Sequence, residues 1–92
     1  MVEKRVRIIV AGRVQGVWYR ASTVKKAEEL ELTGWVKNLA DESVEILAEG
    51  PEEKLVKLAS WSKKGPPSAN ITEQKITWEP YTGEFPYFSI TY

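Results

Sequence analysis

The run Gly12-Arg13-Val14-Gln15-Gly16-Val17-Trp18-Tyr19-Arg20 concentrates residue types that can hold an anion. Its two glycines let the backbone turn sharply and approach a ligand with no Cβ in the way. Successive N–H groups from about Val14 to Tyr19 can then converge, joined by the free donors at the start of a following helix. Arg20 falls in the first turn of that helix, where a cation opposes the helix dipole. A planar guanidinium there offers paired donors to an oxyanion, and places where a sequence breaks a local rule are often functional. A phosphate group is the natural guest. Spacing alone also fits a plain strand-to-helix turn, because short glycine motifs recur without function. Arg20 equally fits a solvated arginine whose stem packs on the helix.

The charges around this run are lopsided. From Lys4 to Ala27 the charged residues are Lys4, Arg5, Arg7, Arg13, Arg20, Lys25 and Lys26, with no acid among them. The chain carries 13 basic and 13 acidic residues, so the remainder is strongly acidic and the positive end is expected to surround the loop. Arg5, Arg7, Lys25 and Lys26 read as a general field or a solvated face. Trp18 and Tyr19 either wall a pocket or anchor the loop, with at least one assigned to anchoring. Asn38, in Trp35-Val36-Lys37-Asn38-Leu39, sits near a strand end, where asparagine commonly prepares a turn.

The elements that must position these residues follow from hydrophobic pattern. Ninety-two residues at 42% hydrophobic composition predict one domain, residues 1–92. Cysteine and histidine are both absent, which excludes disulfides, thiolate nucleophiles and the usual general base. The N-terminus shows no long apolar run, so neither a signal peptide nor a membrane span is expected, and the expected location is cytoplasmic. Arg5 to Ala11 alternates as a strand with Val6, Ile8 and Val10 on one face. Arg20 to about Glu31 reads as a helix through Ala21, Val24, Ala27 and Leu30. Trp35–Leu39 and Ser43–Glu49 read as a hairpin.

The second helix is the best marked. Gly50 serves as N-cap, Pro51 as first residue, Glu52 and Glu53 face the positive dipole end, and Lys63 and Lys64 the negative end. Gly65 stops it, and Leu55, Leu58, Ala59 and Ser62 give its buried stripe. Thr72–Glu79 alternates through Gln74, Ile76 and Trp78. Tyr87–Tyr92 closes the chain with Phe88, Ile90 and Tyr92 on one face, at a sheet edge because of Pro86. The order is βαββαβ plus a C-terminal strand: an α+β, ferredoxin-like sandwich with two helices on one face of an antiparallel sheet. That fold licenses no activity by itself.

The Gly12–Arg20 run closely resembles the signature of the acylphosphatase family, G-x-V-Q-G-V followed by two aromatics and an arginine. Gly34-Trp35-Val36-Lys37-Asn38 is similar to the family's second motif, and Gly50-Pro51 and Gly65-Pro66-Pro67-Ser68-Ala69 fit as well. The resemblance covers essentially the whole chain in the expected order. It implies hydrolysis of a small-molecule acyl phosphate to a carboxylate and inorganic phosphate, the latter a product and inhibitor. Arg20 and the backbone N–H groups of Gln15, Gly16, Val17, Trp18 and Tyr19 would bind the phosphoryl group, and Asn38 would orient the attacking water. Three positions depart from the pattern. Trp18-Tyr19 replaces a pair of phenylalanines, Glu42 stands where a turn glycine is frequent and implies a different hairpin turn, and Thr91 stands where a basic residue is common.

This parts list suffices for the reaction. The leaving carboxylate has a conjugate acid with a pKa of roughly 4, so no protein general acid is needed. The transition state is loose, and positioning with charge stabilisation can carry catalysis. No cofactor and no metal is called for, and no membrane or nucleic-acid partner is expected; a monomer is the simplest state. A rival reading is a non-catalytic domain of the same architecture that binds RNA or an anionic metabolite. The strand Ser43–Glu49 is acidic and lacks the interleaved aromatics that RNA binding would use. A metallochaperone would need a Cys-x-x-Cys loop. A module serving a larger enzyme's carbamoyl-phosphate chemistry is the third alternative.

Overall fold

The computed structural model describes residues 2–92; Met1, the first residue of the domain read from sequence, lies outside them. The elements run β1 (Glu3–Arg13), α1 (Tyr19–Glu29), β2 (Thr33–Asn38), β3 (Val44–Pro51), α2 (Glu52–Lys64), β4 (Asn70–Glu79) and β5 (Phe88–Ile90). The sheet order is β4-β1-β3-β2-β5. No helix among the described residues is long and apolar enough to cross a membrane.

Alternation along β1 drives the packing. Val6, Ile8 and Val10 are fully buried and face the helices, beside Val36 of β2 and Val44, Ile46 and Ala48 of β3. Leu55, Leu58, Ala59 and Ser62 of α2 close over them, as the stripe predicts. In α1 the buried residues are Tyr19, Thr23 and Ala27, while Val24 and Leu30 pack at the margin. Ala21, expected in that stripe, is exposed instead. The helix begins one residue earlier than expected, and its inward face follows the four-residue spacing of Tyr19, Thr23 and Ala27.

The expected antiparallel sheet is mixed. β1 pairs antiparallel with both β3 and β4, and β2 pairs antiparallel with β3, but β5 lies parallel to β2. After β4 the chain crosses to the opposite edge, as Pro86 requires of an edge strand, and returns in the direction of β2. Gly34 N–H donates to Tyr87 O and Thr91 N–H donates to Val36 O, bracketing that short pairing. Tyr92 lies past the strand and is exposed, so it does not share the buried face of Phe88.

On the face away from the helices, the positive residues of β1 are matched by acids brought from afar. The Arg5 guanidinium donates to Glu49 (2.8 Å) and to Glu84, and Arg7 to Glu79 (2.8 Å) and Glu45. Lys4 pairs with Glu52. The part of the expected positive field carried by Lys4, Arg5 and Arg7 is therefore neutralised, while Arg13, Arg20 and Lys25 form no ion pair among the described residues. Glu49 is buried and also accepts from Thr82 N–H, Thr82 Oγ1 and Gly83 N–H, which fastens the crossing segment to β3.

Candidate active site

The loop between β1 and α1 owes its path to two glycines with different tasks. Gly12 (φ 118) lies where the β1–β4 register shifts, and a Cβ there would stand 2.2 Å from Asn70 O. Its lack of a side chain permits strand contact. Gly16 (φ 73) is also left-handed, but a Cβ there would meet nothing within 4 Å. Gly16 keeps the backbone bare toward open space.

The Gln15 side chain holds the loop against the β2–β3 turn, its Nε2 donating to Leu39 O and Ser43 O, both at 2.9 Å. Ser68 Oγ donates to Val17 O at 3.1 Å. Val17 itself is buried in the core. Tyr19 is the anchoring aromatic: it is buried, its hydroxyl donates to Ser62 O at 2.6 Å, and its ring lies 5.6 Å from that of Trp61. Burial pushes its phenol pKa well up, beyond the range in which it could exchange protons near neutrality.

Helix α1 starts without the usual supports. Trp18 is its N-cap at φ 66, no side chain caps it, and its first turn holds no acid. The first helical hydrogen bond is Ser22 N–H to Trp18 O. Among the described residues, the backbone N–H groups from Gln15 to Ala21 donate to no protein acceptor. Arg20 forms none of the ion pairs found in the molecule. Its guanidinium instead lies 5.5 Å from the centre of the Tyr92 ring.

A pocket of about 350 Å³ opens here, lined by Val14, Gly16, Trp18, Tyr19, Arg20, Ala21, Asn38 and Ile90. Asn38, at the end of β2, contributes a buried Oδ1 that accepts no hydrogen bond from the protein. Of the residues singled out from sequence, Gly16, Trp18, Tyr19, Arg20 and Asn38 meet at this pocket. Gln15 and Val17 are absent from its lining, the first because its side chain reaches the hairpin turn and the second because it points into the core. Ala21 and Ile90 carried no local signal for the site, and β5 brings Ile90 there only through its pairing with β2. Among the described residues, no group of three or more Asp, Glu, His or Cys stands where it could hold a metal ion.

The turn that carries Asn38 keeps a glycine-type backbone despite Glu42. Glu42 adopts φ 75, its N–H donates to Leu39 O, and Asp41 Oδ1 accepts from Ser43 N–H. The expectation of a different turn does not extend to this left-handed position.

The acylphosphatase family model matches residues 6–90. The chain belongs to the acylphosphatase family. An acylphosphatase from Methylococcus capsulatus is 53% identical over 87 residues, covering 95% of each chain. One from Aeropyrum pernix is 47% identical, covering 96% of this chain and 88% of that one. The crystal structure of the acylphosphatase from Bacillus subtilis superimposes with a TM-score of 0.93 at 43% identity, covering 97% of this chain and 99% of that chain. Membership fixes the reaction class of the acylphosphatase described above: hydrolysis of an acyl phosphate.

Proposed function

We propose that the pocket performs this hydrolysis with the phosphoryl group held by Arg20 and the backbone N–H groups of Gln15, Gly16, Val17, Trp18 and Tyr19. The observation that carries the reading is a set of groups at one pocket that lack protein partners among the described residues: the N–H donors of Gly16, Trp18, Tyr19, Arg20 and Ala21, the Arg20 guanidinium with no carboxylate, and the buried Asn38 Oδ1. Unpaired polar groups cost stability and are uncommon in native structures, so their convergence points to a ligand that completes them.

The donors face the phosphoryl oxygens, where negative charge must be held as the acyl oxygen departs. Asn38 Oδ1 accepts a hydrogen bond from the attacking water and holds it in line, while the proton passes to a phosphate oxygen of the substrate. The acyl oxygen leaves as a carboxylate, which needs no proton. Inorganic phosphate, the product, occupies the same donors and inhibits. Neither cofactor nor metal enters these steps. The outer sheet face pairs its arginines with Glu45, Glu49 and Glu79, a poor surface for nucleic acid. We place the protein in the cytoplasm as a monomeric single-domain enzyme, a reading supported by its cysteine-free composition and self-contained core.

The test is hydrolysis of benzoyl phosphate in excess EDTA by the parent and by a folded Arg20→Gln variant. The parent turns over, and the variant loses about 100 to 1,000-fold in rate. Near-normal turnover by the variant would refute the assignment of Arg20.

A further inference from the structure

Helix α1 borders a second cavity, which shares no residue with the pocket at Arg20. It is a groove of about 440 Å³ between α1 and the C-terminal end of α2. Ser22, Lys25 and Lys26 come from α1, and Trp61 and Lys64 from α2. The volume falls within the range of small-molecule sites. The framework is tight: the Trp61 ring lies 5.6 Å from that of Tyr19, and a Cβ at Gly65 would stand 2.9 Å from Tyr19 Cε2. Pro66 and Pro67 stiffen the turn beside it. Trp61 is only half-buried, so part of its indole faces the groove.

The charges here differ from those on the outer sheet face. Lys4, Arg5 and Arg7 each meet an acid, but Lys25 and Lys64 form no ion pair among the described residues. Lys26 reaches Glu29, the single acid in the lining, at a long 3.9 Å. Three cations from two helices thus converge on one acid, and their mutual repulsion is only partly compensated. The helix dipole explains one lysine at the end of α2, a need that Lys63 already meets, and it does not account for Lys25. We propose that this groove is a second anion-binding site, which takes a nucleotide with its phosphates on Lys25, Lys26 and Lys64 and its base against the indole of Trp61. Lysine ammonium groups hold phosphate as point charges, and every base offers a flat face for aromatic stacking. One indole and three cations in a groove of this size match one ring joined to a short run of negative charge.

The experiment titrates ADP into 15N-labelled Arg20→Gln protein, in which the other pocket has lost its guanidinium, with adenosine and inorganic phosphate in parallel. Saturable ADP shifts should centre on the amides of Ser22 to Glu29 and Trp61 to Gly65, and on the Trp61 indole N–H. Adenosine and phosphate should each bind at least about tenfold more weakly. Adding Lys25→Gln and Lys64→Gln together should weaken ADP by about tenfold or more. The same two substitutions in the Arg20-containing enzyme should leave kcat/KM for benzoyl phosphate at the parental value. No saturable ADP shifts, shifts confined to Gln15–Ala21, adenosine or phosphate binding as tightly as ADP, or affinity indifferent to the two lysines would overturn the proposal. Loss of turnover in the lysine variant would overturn it as well, because the groove would then not be separate from the pocket at Arg20.

Discussion

Helix α2 opens after Pro51 with Glu52 and Glu53 in its first turn, and closes with Lys63 and Lys64 before Gly65 N–H bonds back to Trp61 O. Helix α1 opens after a left-handed tryptophan, with no side-chain cap, no acid in its first turn and Arg20 in an acid's place. The same contrast divides the arginines. Arg5 and Arg7 are fully engaged by Glu49, Glu79, Glu84 and Glu45, whereas Arg20 lies against the Tyr92 ring and forms no ion pair among the described residues. In α2 and on the outer sheet face, residue choice satisfies the rules of helix and ion-pair stability. At the start of α1 several of those rules are broken at once, and the oxyanion proposed to bind there would satisfy them together.

The largest break in this contrast comes from matched substitutions of the two kinds of arginine. Arg20→Gln should cost about 100 to 1,000-fold in kcat/KM and leave thermal stability unchanged or slightly raised, because a cation is removed from a helix N-terminus. Arg5→Gln should do the reverse: it strands the buried Glu49 carboxylate, destabilising by about 3 kcal/mol, and spares turnover per folded molecule. Steady-state kinetics alongside denaturant titration checks both. Asn38→Ala ranks next, with kcat reduced by about 100-fold, inhibition by inorganic phosphate retained, and no loss of stability, since a buried acceptor without a donor has been deleted.

Lowering the pH sharpens the same division. Burial alone would push the Glu49 carboxyl up, but the Thr82 amide, Arg5, the Thr82 hydroxyl and the Gly83 amide outweigh it and hold the pKa below the ordinary 4.5. The Arg7 hydrogen bond holds Glu79 down in the same way. The unfolded chain therefore takes up these protons first. Stability from the network is complete above about 4.5 and is lost as pH falls through the lower folded values. Tm measured from pH 7 to pH 3 should fall in the parent, and Glu49→Gln should give a lower but flatter curve. The smallest effect concerns the strained residues. Trp18→Gly and Glu42→Gly each relieve a left-handed backbone and should stabilise by about 0.5 to 1 kcal/mol, but only Trp18→Gly should weaken KM for benzoyl phosphate.

The loop proposed to bind phosphate was legible as a candidate because its signals are local: two glycines, a rule-breaking arginine and a run without acids. So was α2 in its charges, its buried stripe and its stop at Gly65, although its N-cap is Pro51 rather than Gly50, which belongs to β3, and its first residue is Glu52. The four antiparallel strands were legible, but the partner and direction of the extra strand β5 were not, because three residues at an edge carry no mark of their partner. Arg5 and Arg7 looked like a positive field because their acids come from β3 and β4, some 40 to 70 residues away. Ile90 and Tyr92 reach Arg20 by that same long-range route. The role proposed for Asn38 was suggested only by family resemblance; in isolation it looked like a turn residue.

The most direct test of the central claim follows the backbone amides themselves. Inorganic phosphate is titrated into 15N-labelled protein, and the amide resonances of Gln15 to Ala21 are monitored. Saturable shifts centred on those amides in the parent, and their loss in Arg20→Gln, are predicted. Shifts absent from the loop, or unchanged by the Arg20 substitution, would contradict the claim that these donors and Arg20 together hold the phosphoryl group.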